Sequence, residues 1–579
     1  RVLFLDIRSF NDNMPYDQFL VDQVAGDLHP EPTQSQLIAS GFNRLHLIID
    51  VGTALPEESL HRNVVDRVTA VGTAFMGLTV QCAVCHDHKY DPITQKDFYQ
   101  LYAFFNSFDG NPETGRRNTL DFKRGLQTPY INLPSDSQSE QLAAVEKKIA
   151  AVKKQLQEMR AGMEAKDDTE AKNGAEKNDV AKNAAERKQK LQASLKELQR
   201  KRDALLQQIP AALVMRDRQT PRPTHILIRG QYDAPGERVV RDTPGFLPPL
   251  RPANEIATRM DLANWLVRED HPLTARVAVN RFWQHLFGVG LVKTSEDFGA
   301  QGDVPSHPQL LDYLADRFMR SGWDVKSLIR HLVTSQTYRQ SSRASADAFR
   351  DDPDNRWLAR GGRHRLDAES IRDSVLHAAG LLNLTMFGRS VRPPQPDGIW
   401  ESVVMPSSFP RVYKTDSGDK QFRRSVYTFW KRAIPPPQMT IFDAPTRESC
   451  IARRERTNTP LQALVMMNEP AYFAAAMTLA GDLLMDENLD DDARILSAHR
   501  RLLGRVPGPQ RLAILRTGLE DFHQDFIAAP AAAESMRQRF GSMLNLRDNP
   551  PTDGFDERLA AWTMLIHSLL NLDEFRTRS

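Results

Sequence analysis

Cysteine is scarce here, with three residues in a chain of 579. That count excludes a disulfide framework, because two of the three stand together and only Cys450 remains elsewhere. Cys450 itself reads as a small half-buried residue. A dominant charge is also missing. Lys and Arg number 76 against 74 Asp and Glu, for a net charge of +2, so no global field calls for nucleic acid or an anionic membrane. No apolar run approaches the length of a bilayer span. A phosphate loop, a Gly-x-Ser-x-Gly elbow and a His-Glu-x-x-His pair are all lacking, which removes the most recognisable nucleotide, serine-hydrolase and zinc-protease chemistries. The chain does not open on Met. Arg1 to Asp6 reads as the middle of a helix, so a fragment is expected, and the lack of a signal peptide carries no information about location.

Against this background one stretch stands out, Gln81-Cys82-Ala83-Val84-Cys85-His86-Asp87-His88-Lys89-Tyr90-Asp91-Pro92. It contains Cys-x-x-Cys-His, the attachment signature of a c-type haem. Two thiols add across the porphyrin vinyl groups, and the following histidine is placed under the iron as an axial ligand. The same residues admit other readings. Cys82, Cys85, His86 and His88, with Asp91, make a possible zinc set, and His88 with Asp87 or Asp91 is a possible second metal site beside a haem. Plain structural cysteines are the third reading. A dithiol redox site is disfavoured, because no βαβ pattern surrounds the motif.

The chain reads as mainly α, with two helical domains joined by an antiparallel coiled-coil hairpin and a small β segment. Residues 1–107 are mostly helical. Pro56-Glu57-Glu58 starts a helix running through Val64, Val68 and Phe75 towards the cysteines, and Asp97 to Phe105 is an aromatic helix suited either to walling a porphyrin or to core packing. Residues 108–136 form a linker. In 137–209, Leu142, Val145, Ile149, Val152, Leu156 and Met159, then Leu191, Leu195, Leu198, Leu205 and Ile209, keep heptad spacing. They predict two arms of roughly 30 Å at 1.5 Å per residue, with a mobile tip over the charged stretch broken at Gly174. The charge run is a solvated face or a partner-binding arm. Residues 210–253 hold short strands and a Pro-rich connector, and 254–579 form a second helical domain. Within it 393–418, rich in Pro and Ser, lacks a regular pattern, and His307 and His364 read as lone structural histidines.

A second polar cluster runs from Arg423 to Asn468 and includes Arg423, Arg424, Arg447, Arg453 and Arg454 among aromatics. Arginine suits bidentate binding of carboxylate, phosphate or sulfate. The cluster is therefore an internal arginine–carboxylate network, an anion site, or a docking surface for the cysteine segment.

Longer ordered motifs surround these features. Met14-Pro15-Tyr16-Asp17-Gln18-Phe19, Gly41-Phe42-Asn43-Arg44, Val65-Asp66-Arg67-Val68, Phe75-Met76-Gly77-Leu78-Thr79, Cys82 to Pro92 and Tyr102-Ala103-Phe104-Phe105 resemble the planctomycete cytochrome-like domain of unknown function 1549. Asn280-Arg281-Phe282-Trp283-Gln284, Ser306-His307-Pro308, Phe442-Asp443-Ala444-Pro445 and Thr457 to Leu464 resemble its usual companion, domain of unknown function 1553. The resemblance implies an exported, extracytoplasmic protein with haem c attached through Cys82, Cys85 and His86. It also implies electron transfer or haem-dependent redox with a partner protein, and a link to polysaccharide degradation. The start of the first domain is expected to be missing. In that frame His46, in the loop after Asn43-Arg44, and Met76 are the distal-ligand candidates. The alternatives are a zinc or other metal protein acting on anionic polysaccharide, and a scaffold whose hairpin recruits partners.

Overall fold

A computed structural model describes residues 2–46, 54–113, 119–167, 174–404, 410–540 and 554–578. Among them are twenty-four α-helices and six short strands in three two-stranded antiparallel sheets, so the chain is mainly α. Two compact units are present. One comprises Arg1–Val68 and Val80–His271, the other Thr69–Thr79 and Pro272–Ser579.

In the first unit, α1 (Val2–Asn11), α2 (Tyr16–Ala25) and α3 (Gln34–Ala39) lead to α4 (Pro56–Val71) and α5 (Gln95–Phe105). Capping boxes set two of the helix starts. Thr33 pairs with Gln36 at α3 and Thr94 with Asp97 at α5, each satisfying two backbone donors that the first turn would leave open. α2 turns Leu20 and Val24 wholly inward, and α5 buries Phe98, Tyr99, Leu101, Phe104 and Phe105. The aromatic helix is therefore core, with its rings packed on each other: Phe98 meets Tyr99 edge-on at 5.4 Å, and Tyr99 meets Tyr102 at 5.6 Å.

The segment expected as a linker has structure of its own. It holds α6 (Leu120–Arg124) and β1 (Tyr130–Asn132), from which α7 (Asp136–Asp167) rises; α8 (Gly174–Gln208) returns to β2 (Ala211–Leu213). β1 and β2 pair with Tyr130 opposite Leu213, and Leu133 N–H donates to the Pro210 carbonyl at 2.6 Å, closing the base of the hairpin. The heptad residues are its less exposed side, yet only Ile149 and Ile209 are buried, because two helices alone cannot enclose a seam. The 32 residues of α7 span roughly 48 Å at 1.5 Å per residue, more than expected, since the helix runs on from the heptad residues to Asp167. The expected tip falls partly on residues 168–173, which lie outside the described residues. β3 (Thr224–Leu227) and β4 (Pro235–Val239) form a second hairpin, and α9 (Arg259–Leu266) packs against α2.

That last contact accompanies the place of α9 in the first unit, although the sequence reading begins the second helical domain at 254. Arg259 explains it. The residue is fully buried, donates to both carboxylate oxygens of Asp27 at 2.9 and 2.6 Å, reaches Asp217 at 3.2 Å and the Val24 carbonyl at 2.8 Å. Burial opposes its charge, but the two carboxylates outweigh that and hold the guanidinium protonated.

Two further buried arginines organise the middle of the unit. Arg44 and Arg67 lie over the Phe108 ring, 4.6 and 4.7 Å from its centroid. Arg44 donates to the carbonyls of Gln127, Pro129 and Val214, at 3.1, 3.0 and 2.9 Å. Arg67 donates through Nε to the Asn43 carbonyl at 2.8 Å and meets His46 Nε2 at 3.2 Å. Burial lowers both guanidinium pKa values to about 9.

The second unit contains residues 69–79. After α4 a π-turn over Gly72–Met76 ends at Gly77 in the left-handed region, φ +61°. A Cβ there would stand 2.7 Å from the Phe298 ring and 3.0 Å from Val277, so only glycine fits. α10 (Thr274–Phe287) packs on α11 (Pro308–Arg320), and α12 (Val325–Val333) follows. Asn280 on α10 is wholly buried. Its amide donates to the Val292 carbonyl at 3.0 Å and accepts Val292 N–H at 2.9 Å, which fixes the loop beyond the helix. Short helices α13 (Gln336–Arg339) and α14 (Ala346–Asp351) precede β5 (His364–Arg365) and α15 (Ala368–Ala378). α16 (Ile399–Val403) interrupts the Pro-rich stretch, whose residues 405–409 lie outside the described ones, and α17 (Pro437–Thr440) follows. The main core is built from α15 together with α18 (Pro460–Asn468), α19 (Pro470–Leu484), α20 (Asp491–Leu503), α21 (Pro509–Ala528), α22 (Pro530–Phe540) and α23 (Phe555–Leu570). α24 (Asp573–Arg576) leads to β6 (Thr577–Arg578), which pairs with β5.

Phe108→Ala removes the ring that two buried guanidinium groups lie over as well as its own packing. A loss of about 3–5 kcal/mol is expected from a buried Phe deletion, read as a lower midpoint for the first unit in urea unfolding.

Candidate functional site

The cysteine motif begins in a 3-10 turn, Val80–Val84, of the first unit. Val80 and Ala83, three apart, are wholly buried, while Cys82 and Cys85, also three apart, are exposed free thiols. Three residues per turn is the repeat of this helix, so the inward pair of apolar residues fixes the outward pair of cysteines.

The loop is pinned from two sides. Val84 carbonyl accepts from the Tyr99 hydroxyl at 3.0 Å and from Gln95 Nε2 at 3.0 Å; the same amide reaches the Leu227 carbonyl on β3 at 3.0 Å. Burial, then the nearby Cys85, drive the Tyr99 phenol pKa up, so the hydroxyl remains a donor. Beyond the cysteines, the Asp87 carboxylate accepts the Gln95 N–H at 2.7 Å, at the N-terminal end of α5 where a negative charge is favoured. On the other side, a Cβ on Gly230 (φ +72°) would stand 2.9 Å from Cys85 Sγ, so the β3–β4 turn approaches the sulfur as closely as a bare backbone allows.

His86 is exposed, and its Nδ1 lies 2.7 Å from the Asp87 carbonyl oxygen. A carbonyl only accepts, so Nδ1 carries the proton and Nε2 keeps its lone pair. Ligating histidines are oriented by such a bond on their other nitrogen. His88 has the opposite arrangement. Its Nδ1 accepts Asp91 N–H at 2.8 Å, with Tyr90 N–H at 3.4 Å, so its proton sits on Nε2. His88 and Asp91 are both nearly buried, and Nδ1 stands 3.5 Å from Asp91 Oδ2. Their backbone bonds shape the turn that returns to Ile93. Among the described residues no group of three or more His, Cys, Asp or Glu is disposed to hold a metal ion, so Cys82, Cys85, His86, His88 and Asp91 are not gathered as one ligand set.

The distal-ligand candidates sit apart in character. His46 is buried and gives its Nε2 to the Arg67 guanidinium, which can only donate. Met76 is wholly buried in the second unit.

The arginine cluster of the second unit is largely committed internally. Arg423 is buried, donates to the carbonyls of Thr385, Phe387 and Arg389, and stacks 4.0 Å over Tyr427. Arg453 pairs with Glu296 at 3.1 Å, and Arg454 grips Glu369 with both terminal nitrogens at 2.6 and 3.2 Å. Arg447 lies 4.3 Å over the Trp430 ring, and Arg424 Nε is 4.0 Å from Asp373.

Sequence reasoning passed over Gln95, Tyr99 and Gly230. Only Asp87, adjacent to the motif, carried a local signal; Gln95 reaches Leu227 across 132 positions, and no spacing rule encodes that.

The family described as protein of unknown function DUF1549 (PSCyt2) matches residues 6–110, and that described as protein of unknown function DUF1553 (PSD1) matches residues 258–519. No curated protein and no solved structure matches the chain.

If Gln95 couples the cysteine loop to β3, Gln95→Ala should speed amide hydrogen exchange in 80–87 and 224–230 together. Lys96→Ala, which breaks only an exposed pair with Glu237, should change neither.

Proposed function

The chain belongs to the family in which a DUF1549 domain is followed by a DUF1553 domain, and from that premise we propose that Cys82, Cys85 and His86 form a c-type haem attachment site in an extracytoplasmic redox protein. The observation that carries the reading is a contact: the Asp87 carbonyl, which can only accept, lies 2.7 Å from His86 Nδ1, which leaves Nε2 as the nitrogen for ligation on an exposed ring next to two exposed thiols. That donor set fits a thioether-bound haem with one histidine ligand. When bound, the haem supplies reversible one-electron chemistry.

The chain's own residues do the positioning. Val80 and Ala83 anchor the turn inward, Tyr99 and Gln95 hold the Val84 carbonyl, and Asp87 ties the following turn to α5. The aromatic residues of α5 support the loop from beneath and are not free to wrap a porphyrin. The attachment is therefore an exposed one, and exposure favours exchange with a redox partner protein at short range. Because Arg67 occupies His46 Nε2, the reading assigns no distal ligand. The connection to polysaccharide breakdown rests on the family resemblance.

The test is a pyridine haemochrome spectrum of protein produced in a host with cytochrome c maturation, alongside metal analysis. Covalent haem is expected in the wild type and none in the Cys82→Ala/Cys85→Ala double variant. Wild-type protein without covalent haem, or holding stoichiometric zinc that the double variant loses, contradicts the proposal.

A further inference from the structure

The second unit contains a cavity of about 520 Å³ that the haem reading does not use. Its size is within the range of small-molecule sites. One wall is a single face of α15, bearing Glu369, Asp373 and His377 at successive steps of four, with Ser370 and Ser374 beside them. Facing residues come from elsewhere in the unit: Arg424 precedes Val426, and Arg501 lies on α20. The remaining lining is apolar, from Leu382, Val426, Leu502 and Phe575.

The two walls differ in sign, and each retains unspent hydrogen-bonding capacity. Glu369 is engaged by Arg454. Asp373 uses Oδ1 to accept Ser425 N–H at 2.8 Å, and Oδ1 lies 3.8 Å from Arg372. Its Oδ2 faces Arg424 Nε at 4.0 Å, which is beyond hydrogen-bond range. Arg501 is 3.7 Å from Asp482, likewise too far for a hydrogen bond. The side chains of Arg424 and Arg501 are 42% and 46% exposed, so both forks can turn to a ligand. A pure anion would meet Glu369 and Asp373, and a pure cation would meet the two arginines. A ligand carrying both charges meets a complement to each.

We propose that this cavity binds a small zwitterion of the amino-acid or dipeptide class. Its ammonium group points to Asp373 on α15, its carboxylate is held by Arg424 and Arg501, and an apolar side chain lies on Leu502 and Phe575. Guanidinium–carboxylate recognition is strong because both partners are charged and the fork matches the carboxylate geometry. The site is independent of the cysteine motif.

The experiment is isothermal titration calorimetry on the full chain with L-phenylalanine and glycyl-L-phenylalanine, and with 3-phenylpropionate and phenethylamine as single-charge comparators. At least one zwitterion is expected to bind, with both comparators weaker by about tenfold or more, the scale of one lost charged hydrogen bond. Arg501→Gln, an exposed change that should leave the thermal midpoint in place, is expected to weaken binding by a similar factor, as are Arg424→Gln and Asp373→Asn. No heat from either zwitterion at millimolar concentration, a comparator binding as tightly as the zwitterion, or unchanged affinity in folded Arg501→Gln and Asp373→Asn protein would each overturn the proposal. The dipeptide and the free amino acid arms show which source of the shared chemistry the cavity takes.

Discussion

The first unit depends on a cation–π layer, Arg44 and Arg67 over the ring of Phe108. Two guanidinium groups buried this deeply are costly, and partners for most of their donors offset that cost, although the buried Arg44 Nε has none among the described residues. Here the partners are mostly peptide carbonyls: Gln127, Pro129 and Val214 for Arg44, Asn43 for Arg67. The cost is thereby converted into connectivity. The short helix at Asn43, α4, the segment before β1 and the residue after β2 are all tied to one aromatic ring. Arg259 adds the outer bond, joining α9 to the end of α2 through Asp27. Replacing such groups by apolar ones of equal volume need not destabilise a fold, but removing one partner from the set leaves a buried charge exposed to a low dielectric.

The cysteine loop is positioned by this layer through α5. Phe105 presents a carbonyl towards Arg67, Tyr102 is buried on the same helix, and Tyr99 about one turn and Gln95 about two turns earlier hold Val84. Rigid support of this kind is what a covalent cofactor site needs, since a ligand nitrogen has to be held in one direction while the sulfurs remain accessible. The turn with His88 and Asp91 belongs to the same scaffold. There the His88 ring caps the backbone N–H of Asp91, a structural role next to the motif.

Local physics made much of this legible in the sequence. Apolar spacing placed α4 and α5, heptads placed the hairpin seam, and Cys-x-x-Cys-His marked the loop. What the sequence leaves open or passes over is what local pattern cannot carry. The linker pairs β1 with β2 across the whole hairpin, a contact separated by some eighty residues. His46 lies beside a conspicuous loop motif, but its Nε2 is set by an arginine 21 positions away. Asn280 sits in a long motif whose purpose, clamping Val292, becomes visible only when the buried amide is seen facing that backbone. The arginine cluster admits an internal network, an anion site or a docking surface until Glu296 and Glu369 are placed opposite Arg453 and Arg454, which gives those two arginines to the network.

The proposed haem attachment turns on which nitrogen of His86 is available. Long-range proton–nitrogen correlation NMR on the haem-free protein, at a pH well above the usual imidazole value of about 6.5, reads this directly. The predicted result is a protonated Nδ1 and an unprotonated Nε2 on His86, with the reverse tautomer on His88. A His86 ring protonated at Nε2 instead would contradict the account.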